Sequence, residues 1–270
     1  MLHRFSYKPH PHLIQLLTTW EQNSFFYLLF PCADCDLLRY WERRSQMRKP
    51  ETALWVMKQC LGIADGLSNI HNYTYPDGAG ANAAAMTLSE RDRERLHGRH
   101  GDIKPENILW FSREPGGGEG GVGRLVISDF GCGAFNTRNS CSNIPNENVP
   151  NTPTYRPPEA DIKDARIGRS WDIWTLGCVY LEFLTWLLDG VDLTRRFSKW
   201  RLESSPRFDP DFLFDMFFSL VTIEGAEERW GAVVKPQVTR VRTQTPAHLP
   251  FPASGAVRQA SAGPLSVYVV

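Results

Sequence analysis

His100-Gly101-Asp102-Ile103-Lys104-Pro105-Glu106-Asn107 sets an acid and an amide five residues apart, directly ahead of the apolar run Ile108-Leu109-Trp110-Phe111. Twenty-seven positions after Asp102 comes Asp129-Phe130-Gly131, directly behind a second apolar run, Leu125-Val126-Ile127. Between the two runs lies Gly116-Gly117-Gly118-Glu119-Gly120-Gly121, the composition of a flexible turn. The two runs therefore read as the arms of a hairpin with a long tip. Folding the arms together brings Asp102, Asn107 and Asp129 to one end. Hard oxygen donors of this kind suit magnesium, and a carboxylate suits a base acting on a hydroxyl.

Outward from this stretch the chain reads as α+β. Residues 13–17 and 25–30 are short apolar runs with turn-forming residues between them, read as a two-strand antiparallel unit. Residues 36–44 read as a short polar helix. Residues 50–71 read as a longer helix, with Leu54, Met57, Leu61, Ala64 and Leu67 as its apolar stripe and Pro50 in its first turn. Residues 73–98 read as an inserted loop and 136–151 as a polar loop. The strongest apolar helix is expected over 171–188, with its tryptophans in the core, and a further helix over 211–220. No internal repeat is visible.

Composition narrows the function classes. The 270 residues carry 30 Lys+Arg against 30 Asp+Glu, so the formal net charge is zero. That balance gives no support for binding nucleic acid or another polyanion. Hydrophobic residues make up 42% and charged ones 22%, which excludes a collagen, a coiled coil or a globally disordered chain. The charge is unevenly spread: Glu228 is the last acidic residue. Residues 242–270 are expected to form a disordered tail, behind a domain spanning 1–241.

Only Cys32 and Cys35 of the six cysteines form a C-x-x-C pair, and no second pair completes a zinc site. They read as free thiols of a reducing compartment. Met1-Leu2-His3-Arg4-Phe5 has no apolar signal core. Residues 173–188 fall short of the roughly 20 that a membrane span needs, and Glu182 sits among them. The expectation is an intracellular protein, cytoplasmic or nuclear, with no membrane contact.

Two more motifs follow in order. Thr152-Pro153-Thr154-Tyr155-Arg156-Pro157-Pro158-Glu159 precedes Asp172-Ile173-Trp174-Thr175-Leu176-Gly177-Cys178 by a short interval. Together the four motifs resemble the catalytic loop, magnesium loop, activation-segment end and supporting helix of eukaryotic serine/threonine protein kinases. The resemblance spans roughly residues 10–241, and the wording around the catalytic loop resembles kinase-like proteins of filamentous fungi. It implies a bilobal fold with a partial N-terminal lobe over 1–33, ending in a hinge, and a mainly helical C-terminal lobe over 34–241.

The resemblance also implies roles. Asp102 would accept or orient the proton of a protein substrate's hydroxyl. Lys104 would neutralise the γ-phosphoryl group of ATP, and Asn107 and Asp129 would hold Mg2+. Thr152 would hydrogen-bond toward Asp102 and Lys104, and Asp172 would anchor the catalytic-loop backbone. Phe30 would be the gatekeeper, with the Pro31 carbonyl and the Ala33 N–H pairing with adenine. A proline at 31 suits this, because only its carbonyl is required. The protein substrate and the oligomeric state are not readable.

Three departures stand out. Gly101 takes the place of an arginine that pairs with an activation-loop phosphate, so activity is expected to be independent of that phosphorylation. No glycine-rich loop or strand lysine precedes the hinge; Lys8 is the only lysine there. The chain as written is therefore expected to bind ATP weakly and transfer phosphate poorly or not at all, which leaves a pseudokinase or interaction module as an alternative. The late arginine partner of Glu159 has only Arg240 and Arg242 as weak candidates. His-Gly-Asp with an asparagine five residues on also resembles small-molecule kinases of the aminoglycoside or choline type. Asp129-Phe130-Gly131, Lys104 and the 152–159 segment count against that reading.

Overall fold

A computed structural model describes residues 9–44, 50–72, 97–112, 123–136, 144–145, 153–162, 165–205, 211–223 and 230–241. Residues 73–96 of the expected loop over 73–98, the glycine-rich tip, most of the 136–151 loop and the tail from 242 lie outside them, as does Thr152.

The first strands are β1, Thr18–Gln22, and β2, Phe25–Leu29, paired antiparallel with Trp20 opposite Tyr27. The expected strand over 13–17 is thus displaced. Asn23 and Ser24 both take positive φ, 52° and 62°, the two-residue turn whose twist matches a hairpin. That turn draws residues 18–22 into the pair. Residues 12–14 instead run beside the later hairpin: Ile14 N–H donates to Ile127 O at 2.9 Å and Ile127 N–H to His12 O at 2.8 Å. Leu13, Ile14 and Leu16 are buried, whereas every residue of β1 and β2 is exposed.

β3, Cys35–Asp36, leads into helix α1, Leu37–Arg43. The Asp36 side chain accepts the N–H of Arg39 and caps the helix. The expectation of a polar helix is corrected here: Leu37, Tyr40 and Trp41 are buried, and the Trp186 indole N–H donates to Trp41 O at 3.1 Å.

Helix α2, Pro50–His71, has the expected limits but a different buried face. Leu54, Met57 and Leu61 are 54%, 64% and 73% exposed, so the expected stripe faces outward apart from Leu67 and half-buried Ala64. The core side is Trp55, Val56, Gln59, Ile63, Leu67 and Ile70. Both sets have helical spacing, and the neighbours decide between them. Trp55 packs on Tyr40 and Phe183, and its indole N–H donates to Gly123 O at 2.9 Å. Gln59 accepts the N–H of Leu125. Gly62 allows the approach of His12, because a Cβ there would lie 2.0 Å from the imidazole.

β4, His97–Arg99, falls partly inside the expected loop and pairs with β7, Ala134–Asn136. Between them, β5, Ile108–Phe111, and β6, Arg124–Ile127, form the expected hairpin. With β3 they make a three-stranded sheet in the order β3-β5-β6. β8, Ile144–Pro145, pairs with β9, Arg166–Ile167.

Helix α3, Ser170–Arg201, runs beyond the expected 171–188 through a break at Asp189 and Gly190, where Gly190 has φ 70°. Arg201 Nη2 reaches Glu182 Oε1 at 2.8 Å, although 19 residues of straight helix span roughly 28 Å. The second half therefore folds back on the first. Trp171 and Trp186 are core as expected, and Trp174 is half-buried.

The expected helix over 211–220 is not formed. After β10, Glu203–Ser204, and β11, Leu213–Phe214, strand β12, Phe218–Thr222, pairs with β13, Trp230–Val234. Phe218 and Leu220 are buried and Ser219 between them is not, the period-2 pattern of a half-buried strand. Helix α4, Pro236–Val241, ends the described chain. The main core joins residues 13–14, α1, α2, β5, β6 and the first half of α3. Among the described residues no helix is long and apolar enough to cross a membrane.

Candidate active site

The loop between β4 and β5 is held from below. Asp172, fully buried in the first turn of α3, accepts the N–H of His100 on Oδ2 and that of Gly101 on Oδ1, both at 2.8 Å. Its Oδ2 also takes the Nε2–H of His71, at 2.8 Å. Three donors on one carboxylate balance the cost of burying its charge. This is the anchoring geometry the sequence led one to expect of Asp172. The contribution of His71 was not anticipated, since nothing local connects the end of α2 to α3.

His100 is fully buried, and burial lowers its pKa below the usual 6.5. Its Nε2 faces the carbonyl of Ser128 at 2.9 Å, and its Nδ1 faces the N–H of Asp102 at 3.3 Å. A carbonyl only accepts and an amide only donates, so the ring is the neutral Nε2–H tautomer. It also packs on Phe130, with ring centroids 5.2 Å apart. His100 is a packed core ring that ties the loop to the Ser128-Asp129-Phe130 turn.

Gly101 has φ +86°, and a Cβ there would lie 2.8 Å from the Cys132 carbonyl oxygen. An arginine cannot occupy this position without moving the backbone.

Asp102 and Lys104 are partly exposed and face each other, with Lys104 Nζ 2.7 Å from Asp102 Oδ2. Partial burial opposes the lysine charge, but the Asp102 hydrogen bond and the fields of Asp102, Glu106 and Asp129 outweigh it and raise the pKa. Asn107 is buried, and its Nδ2 donates to Asp102 O at 2.8 Å and Asp102 Oδ2 at 3.0 Å. With the amide nitrogen so engaged, Asn107 Oδ1 is the free oxygen donor. The Asn107 carbonyl accepts both the N–H and the Oγ–H of Ser128, which docks the loop onto the end of β6.

Asp129 is exposed and left-handed, with φ 59°, and its Oδ1 accepts the N–H of Gly131 at 3.1 Å. Asp102 and Asp129 both act on the Cys132 thiol, whose pKa rises through burial first and then these two charges. The sequence-predicted Asp102, Lys104 and Asn107 are thus in mutual contact, and Asp129 lies close enough for its charge to act on Lys104 and Cys132.

The residues expected to form a hinge lie next to the same sheet. Phe30 packs against the main core, Ala33 is half-buried and Pro31 is exposed. Asp34 N–H donates to Trp110 O at 3.0 Å, and the Asp34 carboxylate takes the N–H and Oγ–H of Ser112 at 2.8 and 3.0 Å. Pro31 also lines a cavity of about 290 Å³ with His10, Phe111 and Arg124, which none of the catalytic-loop residues enters.

No cluster of three or more His, Cys, Asp or Glu side chains suited to a metal is present among the described residues. Magnesium does not require one, since it keeps several waters and takes one or two protein oxygens plus substrate phosphates. Asn107 Oδ1 and the Asp129 carboxylate are hard donors that fit that demand.

The residues missed by the sequence reading lie below residues 153–159. Thr154 Oγ1–H donates to Asp215 Oδ1 at 2.6 Å and Tyr155 O–H to Glu182 Oε2 at 2.7 Å. The signal for Glu182 was present: an acid inside the most apolar run needs a buried partner.

The protein kinase domain family matches residues 95–188. Cyclin-dependent kinase-like 4 of Homo sapiens is 28% identical over 180 residues, covering 65% of this chain and 36% of the relative. CTD kinase subunit alpha of Schizosaccharomyces pombe is 34% identical over 176 residues, covering 65% and 23%. Cyclin-dependent kinase 12 of Drosophila melanogaster is 29% identical over 162 residues, covering 60% and 11%. The chain thus spans two fifths or less of the length of the curated relatives it matches. The matched region holds Asp102, Lys104, Asn107, Asp129 and the Asp172 anchor, and its α+β arrangement agrees with a partial kinase fold. Residues 95–188 are thus similar to a protein kinase domain, and the relatives that match the chain over about two thirds of its length are named as kinases.

Proposed function

We propose that this chain performs serine/threonine protein-kinase phosphoryl transfer, from ATP with Mg2+ to a protein hydroxyl. The observation that carries the reading is the Asp102–Lys104–Asn107 cluster beside Asp129, on a loop locked by Asp172. Asp102 orients the incoming hydroxyl and takes its proton. Lys104 both steadies Asp102 and offers positive charge to the transferring phosphoryl group. Asn107 Oδ1 and Asp129 would hold the metal, which supplies charge neutralisation on the phosphates when bound. Phe30, the Pro31 carbonyl and the Ala33 N–H would frame adenine. Thr152 would hydrogen-bond toward Asp102 and Lys104, and the kinase-like domain would span 1–241.

ATP-dependent phosphorylation of casein tests this. Wild-type transfer that Asp129→Ala and Asp102→Asn each abolish is the expected result. Transfer that survives Asp129→Ala would overturn the metal assignment.

A second reading is a binding module that keeps the fold without the transfer. Wild-type chain that binds an ATP analogue or a protein partner but transfers no phosphate selects it. An intracellular location, cytoplasmic or nuclear, is supported by the five described cysteines, all free, and is checked by fractionating cells that express a tagged chain.

A further inference from the structure

β6 pairs with β5 along one edge, and residues 12–14 run along the other. There His12 Nδ1–H donates to Leu125 O at 2.7 Å and Ile14 N–H to Ile127 O at 2.9 Å. A strand turns alternate side chains to opposite faces. Leu125 and Ile127 are fully buried in the core, and Arg124 and Val126 line the cavity of about 290 Å³. Arg124 stands opposite Phe111 in the hairpin register, so the cavity holds a cation and an aromatic ring from neighbouring strands.

The charge in this cavity is of one sign. Its remaining wall is largely apolar, with Ile14 and Pro31 part of it, and no acidic side chain is among the described residues that line it. His10 also lines it but has no nitrogen to spare. Its Nδ1 accepts the N–H of His12 at 3.1 Å, so Nε2 carries the proton and donates to Asp65 at 2.9 Å. Arg124 Nε is shielded from water and has no hydrogen-bond partner among the described residues. A guanidinium held in this way carries a desolvation cost that an anion beside it would offset.

We propose that this cavity, walled by Ile14, Pro31 and Phe111 with Arg124 as its cation, binds a small carboxylate whose apolar body is one ring or a short chain. The planar guanidinium matches the two oxygens of a carboxylate, and the apolar wall takes the body. The volume lies at the lower end of small-molecule sites, which limits the ligand to that size. The site stands apart from phosphoryl transfer, because Asp102, Lys104, Asn107 and Asp129 are not in its lining.

The test titrates the full chain, labelled with nitrogen-15, with sodium phenylacetate and follows the backbone amide signals of Ile14, Phe111, Arg124 and Val126. Two controls divide the chemistry: phenylacetamide keeps the ring without the charge, and inorganic phosphate keeps the charge without the ring. Phenylacetate is expected to shift these four signals saturably, with Kd on the order of 1 mM for a ligand of this size. Each control should bind about tenfold more weakly or worse, and so should phenylacetate to Arg124→Gln. If that variant does not fold, the comparison of phenylacetate with phenylacetamide on the wild-type chain still decides the role of the charge. Phenylacetamide binding as tightly as phenylacetate overturns the part given to Arg124, and phosphate binding as tightly overturns the part given to the apolar wall. No saturable shift at these residues overturns the site altogether. Shifts that ADP displaces would put the probe in the nucleotide site and overturn a separate one.

Discussion

Asp172 Oδ2 accepts the backbone N–H of His100 at 2.8 Å across 72 positions of sequence. Through this bond and its partner to Gly101, a single buried acid sets where the whole loop between β4 and β5 sits. The loop's position is therefore a property of α3, and its variants separate anchoring from chemistry.

Asp172→Ala strands two buried backbone N–H groups and His71. The expected loss is about 3 kcal/mol or more, and Asp172→Asn, which keeps part of the acceptor, should lose about half of that. Urea denaturation followed by tryptophan fluorescence measures both. A loss under about 1 kcal/mol for the alanine variant would contradict the anchoring role.

Gly101→Ala adds a Cβ against the Cys132 carbonyl in a left-handed backbone. The expected destabilisation is about 2 kcal/mol, and Gly101→Arg should be at least as severe. Thermal melting checks this. The same geometry leaves no side chain at 101 to read a phosphate, so phosphatase treatment should leave any transfer activity unchanged. Activity abolished by phosphatase would count against that.

Burial keeps His100 neutral and holds its pKa below 6.5. The unfolded ring takes up a proton as pH falls below about 6.5, whereas the folded ring resists until the lower folded value is reached. Stability is therefore full above the unfolded value and declines as pH falls toward the folded one. His12 acts in the same direction, because burial lowers its pKa as well. The urea midpoint should drop between about pH 7.5 and pH 5.5, and His100→Phe should flatten part of that slope. A midpoint independent of pH over this range would sink the assignment.

The two faces of α2 differ in cost. Leu61→Gln, on the exposed side, should change stability by less than about 0.5 kcal/mol. Ile63→Ala, on a fully buried side chain, should cost about 2–4 kcal/mol. Equal losses at the two positions would mean that the outward face is covered.

Much of the site was legible in the chain itself. Asp102, Lys104 and Asn107 lie within six residues, so their mutual contacts depend on local backbone. Asp129 joins them through a hairpin whose arms are continuous apolar runs. His71, Tyr155, Glu182, Arg201 and Asp215 were not legible as a set, because each meets its partner only after distant elements pack.

Sequence alone determined the grouping of Asp102, Lys104 and Asn107, the β5–β6 hairpin, the limits of α2 and the core character of Trp171 and Trp186. These follow from spacing and apolar runs, which act over a few residues. Tertiary structure decided the rest. Along α2, Leu54-Met57-Leu61 and Trp55-Gln59-Ile63 both satisfy helical periodicity, and only Tyr40, Phe183 and the β5–β6 hairpin select the second. Residues 211–223 contain a short apolar run that suits helix or strand, and pairing with Trp230–Val234 makes it a strand. The reversal at Gly190 depends on Glu182 and Arg201 sharing one buried pair. Periodicity gives each segment its options, and the choice falls to whichever partner removes the most apolar surface from water while leaving no buried charge alone.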